Sequence, residues 1–258
     1  MSPGGVFRSL WPPVVFGAAF LALWEAVVRG VGLEPFVLPA PSAIWSAFTE
    51  RFDDVVEKSQ LTGSNALVGL VLGVLFGVAM SFVMVRFRLL EEMITPVAVA
   101  LNAVPIVVIV PVLNNMLFGT SSQVPRRLMV TLIVFFVVLV NVSKGLRQVQ
   151  PTQLELMRSY AASPWEVMRK VRIPNAFGHL VTALKIAAPL AVITSFVSEY
   201  FGGPQNGLAN AVTNSLNGSK DVTWAYVIGA STLGLAFYLI SIGVEKASKG
   251  MNTARNTA

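Results

Sequence analysis

Long apolar stretches separated by short polar connections dominate the chain. A bilayer core about 30 Å thick is crossed by roughly 20 mostly apolar residues in a helix. Six stretches reach or approach this length, and they cover residues 11–28, 66–85, 97–118, 128–142, 176–197 and 222–244. The pattern predicts an all-α integral membrane protein with about six transmembrane helices, forming one membrane domain over residues 1–258.

The first apolar stretch has two interpretations. It could be a cleaved secretion signal, or it could be a retained first helix. Five further stretches follow it, and it keeps the polar pair Trp24-Glu25 inside its apolar run. We therefore expect an uncleaved first helix.

Composition agrees with a membrane protein. Charged residues make up 12% of the chain and hydrophobic residues 54%, whereas soluble domains carry roughly 25% charged residues. A net charge of +6 is explained by basic cytoplasmic loops, so nucleic-acid binding is not predicted. The absence of cysteine and the single histidine, His179, exclude disulfides, thiol catalysis and a histidine-rich metal site within one chain.

The basic residues are distributed unevenly between the two ends of the predicted bundle. Six helices place both termini on one side, and thirteen of the nineteen lysines and arginines then lie on that side. The positive-inside rule assigns this side to the cytoplasm. The pair Arg126-Arg127 does not fit, because it falls on the outer side.

The connection 144–175 carries two capping-box signatures, each a hydroxyl residue followed three positions later by glutamate. These are Thr152 with Glu155 and Ser163 with Glu166. Two short helices are predicted, with a sharp joint at Ala162-Ser163 between them.

In the second short helix, Pro164 suits the first helical position. Trp165, Met168 and Val171 form one apolar stripe, and Pro174 is expected to end the helix. The local pattern by itself also fits a solvated loop helix or one that lies on anionic lipid.

The segment ELMRSYAASPWEVMRKVRIP, from Glu155 to Pro174, resembles the cytoplasmic coupling loop of binding-protein-dependent ABC importer permeases. That loop reads Glu-Ala-Ala, three residues, Gly, and about nine residues to Ile-x-Leu-Pro. Leu156 and Met157 replace the two alanines, and Ala161 replaces the glycine.

Other segments extend the resemblance over nearly the whole chain. Leu23-Trp24-Glu25, Leu38-Pro39-Ala40-Pro41-Ser42-Ala43 and Ser198-Glu199-Tyr200-Phe201-Gly202-Gly203 are similar to the nitrate, sulfonate, taurine and thiamine-precursor branch of this family.

The resemblance implies a permease subunit in the bacterial plasma membrane, paired with a second copy. Two cytoplasmic ATPase subunits would carry ATP and magnesium, and an external solute-binding protein would deliver the solute. The residues implied in ATPase coupling are Glu155, Ala161, Ala162, Ser163, Pro164 and Trp165. No Gly-x-x-x-x-Gly-Lys-Ser/Thr loop occurs in the chain, so we expect it to bind no ATP itself and to have no catalytic site.

Small residues recur every fourth position along the second apolar stretch, at Gly69, Gly73, Gly77 and Ser81. Such a face lets another helix approach closely. Packing within the protomer is the first interpretation, and a subunit interface is the second.

Polar and helix-breaking residues mark candidates for the translocation pathway: Asn102, Pro105, Ser195 and Glu199. Broken helices often border substrate paths, but Pro105 also fits a kink repaired by its neighbours. Glu199 fits a gate contact or an anchor of the outer loop. Glu25 is expected to pair with Arg29, one turn later.

Two other classes of function remain at this point. A secondary transporter or a channel explains the six stretches but not the two capped helices. An integral membrane enzyme is disfavoured, because this chain has no histidine cluster, no cysteine and no paired carboxylates at helical spacing within one stretch. The solute is not predicted from these residues.

Overall fold

A computed structural model describes residues 3–87, 89–90, 92–94, 96, 106–113, 116, 122–203 and 206–256, and these parts of the chain contain helices and connections but no strand. The helices are α1 (Pro3–Val31), α2 (Pro41–Glu50), α3 (Phe52–Arg86), α4 (Ile106–Leu113), α5 (Val124–Arg147), α6 (Pro151–Ser159), α7 (Pro164–Val167), α8 (Ile173–Phe201), α9 (Leu208–Ser215) and α10 (Lys220–Asn256), with a π-helical segment at Met168–Arg172 between α7 and α8.

Within the described residues, five helical segments are long and apolar enough to cross a membrane: Trp11–Val31, Phe52–Arg86, Val124–Arg147, Pro164–Phe201 and Lys220–Ser248. The third predicted stretch, 97–118, lies mostly outside the described residues, which include only α4 and residue 116 of it. Asn102 and Pro105 also lie outside them. The count of six therefore stays a prediction.

The helices are longer than the apolar stretches from which they were predicted. Helix α3 begins at Phe52, well before the predicted residue 66, and α5 continues through Lys144 to Arg147. The loop predicted to start at residue 144 therefore starts after α5. Hydropathy detects only the segment that lipid surrounds, whereas backbone hydrogen bonds extend a helix into its polar ends.

Pro174 does not end the second short helix, so that prediction is wrong. The Ile173 N–H bonds to the Met168 carbonyl five residues earlier, which makes a wide π turn. In a regular α-helix the proline ring would clash with the carbonyl four residues before it, and the wider turn avoids this conflict. Residues Pro164–Phe201 consequently form one continuous helical segment of 38 residues.

The core lies where α3, α5 and α8 pack together. It consists of small and β-branched side chains: Ala66, Val130, Val134, Val138, Val142, Leu146, Ala176, Ala183, Ala187, Ala191 and Val192. In lipid, helices associate through such close van der Waals packing. Helix α10 packs on α8, and α9 fits between α8, α3 and α10.

The small-residue face of α3 packs against α5 of the same chain. A Cβ added at Gly73 would lie 2.6 Å from Val134 Cβ, and one at Gly77 would lie 2.9 Å from Val138 Cβ. At Gly69 an added Cβ would overlap a further valine side chain. Since Ser81 is also fully buried, this face is used within the protomer and is not available as a subunit interface.

Helix α1 lies at the edge of the bundle. Only 6% of its apolar window is buried, and its contact with α10 includes Trp24, whose ring lies 5.7 Å from that of Trp224. Exposed apolar side chains such as Phe16 and Leu23 leave this helix suited to a lipid environment.

Candidate functional site

Two short helices form a hairpin at the end of the bundle where α5 ends and α8 begins. Helix α6 starts at Pro151, and its N-cap residue, Gln150, makes no side-chain capping bond. The capping box predicted at Thr152 and Glu155 is therefore wrong. Proline at the first helical position places the helix start two residues earlier than predicted, so that the N-cap is Gln150 and not Thr152.

The second predicted capping box is present. The Glu166 N–H donates to Ser163 Oγ at 3.3 Å, and the Ser163 N–H donates to Glu166 Oε2 at 2.9 Å. Lys170 Nζ donates to the other carboxylate oxygen of Glu166 at 3.2 Å. These bonds fix the start of α7 and hold the hairpin in one geometry.

The joint between the helices is a Schellman-type turn. The Ala162 N–H donates to the Met157 carbonyl at 3.0 Å, and Ala161 has φ of +50°. Glycine is preferred at this left-handed position because it has no Cβ. Ala161 therefore carries backbone strain of about 1 kcal/mol that glycine would not have.

The hairpin exposes large apolar side chains. Leu156, Tyr160 and Trp165 have relative accessibilities of 56%, 74% and 67%. Along the predicted stripe of Trp165, Met168 and Val171, Met168 packs on the core while Trp165 is exposed.

The base of the hairpin is bonded to the bundle. Asn175 Nδ2 donates to the Gly145 carbonyl at 2.6 Å and to the Gln148 carbonyl at 3.1 Å, which satisfies acceptors at the end of α5. A Cβ at Gly145 would lie 2.8 Å from His179 Cβ, so α5 and α8 meet closely here. Sequence reasoning missed Asn175, whose only signal was its place beside Pro174.

Lys185 lies in the first half of α8 and binds a residue of another helix. Its ammonium pairs with Glu245 at 2.9 Å, which joins α8 to α10. His179 instead packs at the α5–α8 crossing beside Gly145.

At the opposite end, Glu25 joins α1 to α2. The predicted pair with Arg29 is present, with Nε to Oε1 at 2.6 Å. The same carboxylate accepts the Ser42 N–H at 3.0 Å and the Ser42 hydroxyl at 2.7 Å. Because Ser42 lies in the first turn of α2, Glu25 caps that helix from a different element.

The N-terminal ends of α3 and α5 and the C-terminal end of α8 enclose a polar cluster. Ser195 is 0% and Glu199 is 1% exposed, so neither faces an open path in this structure. Thr62 Oγ1 donates to Glu199 Oε2 at 2.8 Å, and Ser195 Oγ donates to the Thr62 carbonyl at 3.0 Å.

Arg126 completes the cluster and is fully buried. Its guanidinium donates to the Ser122 carbonyl at 2.7 Å and to the Gly202 carbonyl at 3.0 Å. Arg127 donates to Asn65 Oδ1 at 3.0 Å. In the sequence, Arg126 and Arg127 were notable only because they did not fit the positive-inside rule. In the structure, both guanidinium groups donate hydrogen bonds to other groups of the protein.

The described residues thus form an apolar helical bundle, typical of a membrane protein, with an exposed hairpin at one end and an enclosed polar cluster at the other. The chain belongs to the family described as binding-protein-dependent transport system inner membrane component, which matches residues 69–245.

Relatives with transport names support the same assignment. The chain is 29% identical over 197 residues to a formylaminopyrimidine transport permease of Halalkalibacterium halodurans, covering 74% of this chain and 75% of that protein. It is 26% identical over 250 residues to a riboflavin transport permease of Chloroflexus aurantiacus, covering 93% and 90%.

The fold is also similar to a chain of the methionine ABC transporter in an inward-facing conformation. The TM-score is 0.65 at 15% identity, and the match covers 77% of this chain and 97% of that chain. The protein is accordingly a permease subunit of an ABC importer, and it contributes to the translocation pathway through the membrane.

Proposed function

We propose that residues 152–174 are the surface through which this permease binds its ATPase subunit and receives force from it. The observation that carries the proposal is the exposed apolar group of Leu156, Tyr160 and Trp165 on a hairpin fixed by its own caps. Exposed aromatic side chains among basic ones are typical of protein interfaces. A hairpin that only faced water would gain nothing from them.

The hairpin is connected to the membrane helices in a way that suits force transmission. Helix α7 continues through the π segment into α8 without a break, and Asn175 bonds the same region to the end of α5. A displacement of the hairpin would therefore move α5 and α8 together. At a rise of about 1.5 Å per residue, the 38-residue segment is roughly 57 Å long.

The same proposal includes the orientation. We place the hairpin and both termini in the cytoplasm of a bacterial cell, with the permease in the plasma membrane. Of the basic residues on the opposite side, Arg29, Lys58, Arg126 and Arg127 are each bound to a protein group. They are thus partly compensated, which supports the assignment of the more basic side to the cytoplasm.

We further propose a homodimer with an external solute-binding protein as the third partner. Helices α8 and α10 leave an apolar groove of about 380 Å³, lined by Pro189, Ile193, Phe196, Val227, Ala230 and Gly234 among others. A second copy would cover such a surface. ATP and magnesium would be held by the ATPase subunits, and this chain would have no catalytic role.

Truncation of one aromatic side chain tests the ATPase surface. The permease would be co-expressed with its ATPase, and the dissociation constant would be measured in detergent. Trp165→Ala is expected to weaken binding about 30-fold, because a central interface tryptophan contributes about 2 kcal/mol or more. Trp45→Ala is the matched control, since Trp45 is 62% exposed on α2 at the opposite end.

Two results would contradict the proposal: an ATPase that does not associate with the wild-type permease, or equal affinities for the Trp165 and Trp45 variants. Ala162→Asp provides a second variant, because it puts a charge into the joint and should also prevent association.

The orientation of the chain in the membrane can be tested separately. The chain contains no cysteine, so Tyr160→Cys and Asn214→Cys should react with an impermeant maleimide from opposite sides of the membrane.

A further inference from the structure

Two buried charges lie at the outer end of the bundle. Arg126 is 0% and Glu199 is 1% exposed, and burying such groups is costly even when they are paired. Apolar residues of similar volume often give equal or higher stability at such positions. The presence of both charges therefore calls for a role that close apolar packing would not provide.

The cluster holds both ends of the connection between α8 and α9. Arg126 Nη2 donates to the carbonyl of Gly202 at 3.0 Å, where that connection begins. Its far end is held by Thr62, whose Oγ1 accepts the Leu208 N–H at 3.1 Å and donates to Glu199 at 2.8 Å. One hydroxyl thus uses its proton and a lone pair to join three elements.

Gly207 brings the backbone directly onto the Glu199 carboxylate. A Cβ added at Gly207 would overlap the carboxylate oxygen, so no other residue fits without moving one of the two. Leu208, the first residue of α9, is fully buried beside it. Helix α9 is consequently bonded to the end of α8 and does not form a loosely attached loop helix.

The other face of α9 lines an open polar pocket of about 620 Å³. Its lining includes Asn210 and Asn214 of α9 together with Arg51, Asp54 and Tyr226. Lys58 Nζ donates to Asn206 Oδ1 at 2.5 Å beside the same pocket. A partner that binds this polar surface would therefore touch α9 on the face away from the buried cluster.

We propose that Thr62, Arg126 and Glu199 form a clamp that makes α9 a rigid extension of α8. A partner that contacts the outer polar pocket and an ATPase that moves the hairpin then displace the same rigid unit, so that each movement is transmitted to the other end. These are positioning residues, because their side chains are enclosed. The functional half of the inference rests on the proposed ATPase coupling. The structural half does not depend on it.

The test removes one hydroxyl without changing shape. Thr62→Val deletes the group that links Glu199 to Leu208. Thr194→Val is the matched control, because Thr194 is 1% exposed, lies on α8, and its hydroxyl has no hydrogen-bond partner within the described part of the chain. Glu199→Gln is a second variant that keeps an acceptor but removes the charge.

The first readout is a distance distribution between spin labels at Asn214→Cys on α9 and Ile186→Cys on α8, measured on the permease alone; Ile186 is exposed and lies outside the proposed dimer groove. Thr62→Val is expected to broaden this distribution, whereas Thr194→Val should leave it unchanged. If the Thr62 variant gives the wild-type distribution, the clamp is refuted. This result is independent of any ATPase.

The second readout is ATP hydrolysis by the assembled transporter in nanodiscs, with and without loaded binding protein. Loss of one hydrogen bond shifts a two-state equilibrium about fivefold, and Thr62→Val removes the bonds to both Glu199 and Leu208. The ratio of stimulated to basal hydrolysis should therefore fall by about fivefold or more in Thr62→Val, and should also fall in Glu199→Gln, while assembly stays intact. A merely structural role would lower the melting temperature but keep the ratio, which would overturn the transmission.

Failure of the two proposals can be told apart. If wild-type permease binds no ATPase, the proposed function is wrong and the spin-label distances alone decide the clamp. If the assembled Thr62→Val complex keeps the wild-type ratio, the ATPase surface stands and transmission through α9 is wrong.

Discussion

A single methyl group added to the contact between α3 and α5 should separate these helices. The change is Gly73→Ala, whose Cβ would lie 2.6 Å from Val134 Cβ and 2.8 Å from the Thr131 carbonyl oxygen. Carbon atoms pack best at about 3.5–4.0 Å, so the helices must move apart by about 1 Å. The carbonyl belongs to backbone and cannot turn away as a flexible side chain would.

The magnitude follows from two opposing effects. Alanine favours the helix over glycine by about 1 kcal/mol. A gap of 0.5–1 Å removes about a quarter to a half of the dispersion energy of each contact along the interface, and overpacking usually costs about 1–3 kcal/mol. We expect the free energy of unfolding to fall by about 1–2 kcal/mol.

Gly243→Ala is the control, because an added Cβ at Gly243 on α10 meets no atom within 4 Å. Both variants would be purified in detergent and their melting followed by intrinsic tryptophan fluorescence. The control is expected to melt at or above the wild-type temperature, and Gly73→Ala is expected to melt below it. Equal melting temperatures for the two variants would refute the tight contact between α3 and α5.

Three further changes test the hairpin and the bundle. Ala161→Gly should relieve the left-handed strain at φ of +50° and slow amide exchange in the hairpin by up to about fivefold, whereas Ala161→Val should accelerate it; unchanged exchange in both would exclude this turn. Asn175→Ala frees two carbonyls at the end of α5 and should lower stability by about 1 kcal/mol, as measured by thermal melting against Asn214→Ala. Lys185→Met should destabilise the protein by about 2 kcal/mol, because the half-buried Glu245 carboxylate loses its lysine partner. The double variant with Glu245→Gln should recover part of this loss, and additive losses would contradict the pairing.

The hydrophobic pattern was sufficient for the class of fold, whereas the family followed from the resemblance of residues 155–174 to a coupling loop. Apolar runs of the length of a bilayer can satisfy their backbone only as helices or closed barrels, and the spacing of Gly69, Gly73 and Gly77 already specified a bare helix face. The Ser163–Glu166 box was equally local, because all of its atoms lie within four residues. Such features need no knowledge of distant parts of the chain.

What the tertiary structure decided involves residues far apart in sequence. The partner of Lys185 is sixty residues away at Glu245, and the Thr62–Glu199 bond joins positions separated by 137 residues. Arg126 contradicted the charge rule until its burial against Gly202 was known. Hydropathy scores each residue by itself, so it cannot state which polar groups are paired. Only the packing of α3, α5, α8 and α10 brings these groups together, which lets polar side chains such as Thr62 and Glu199 be buried.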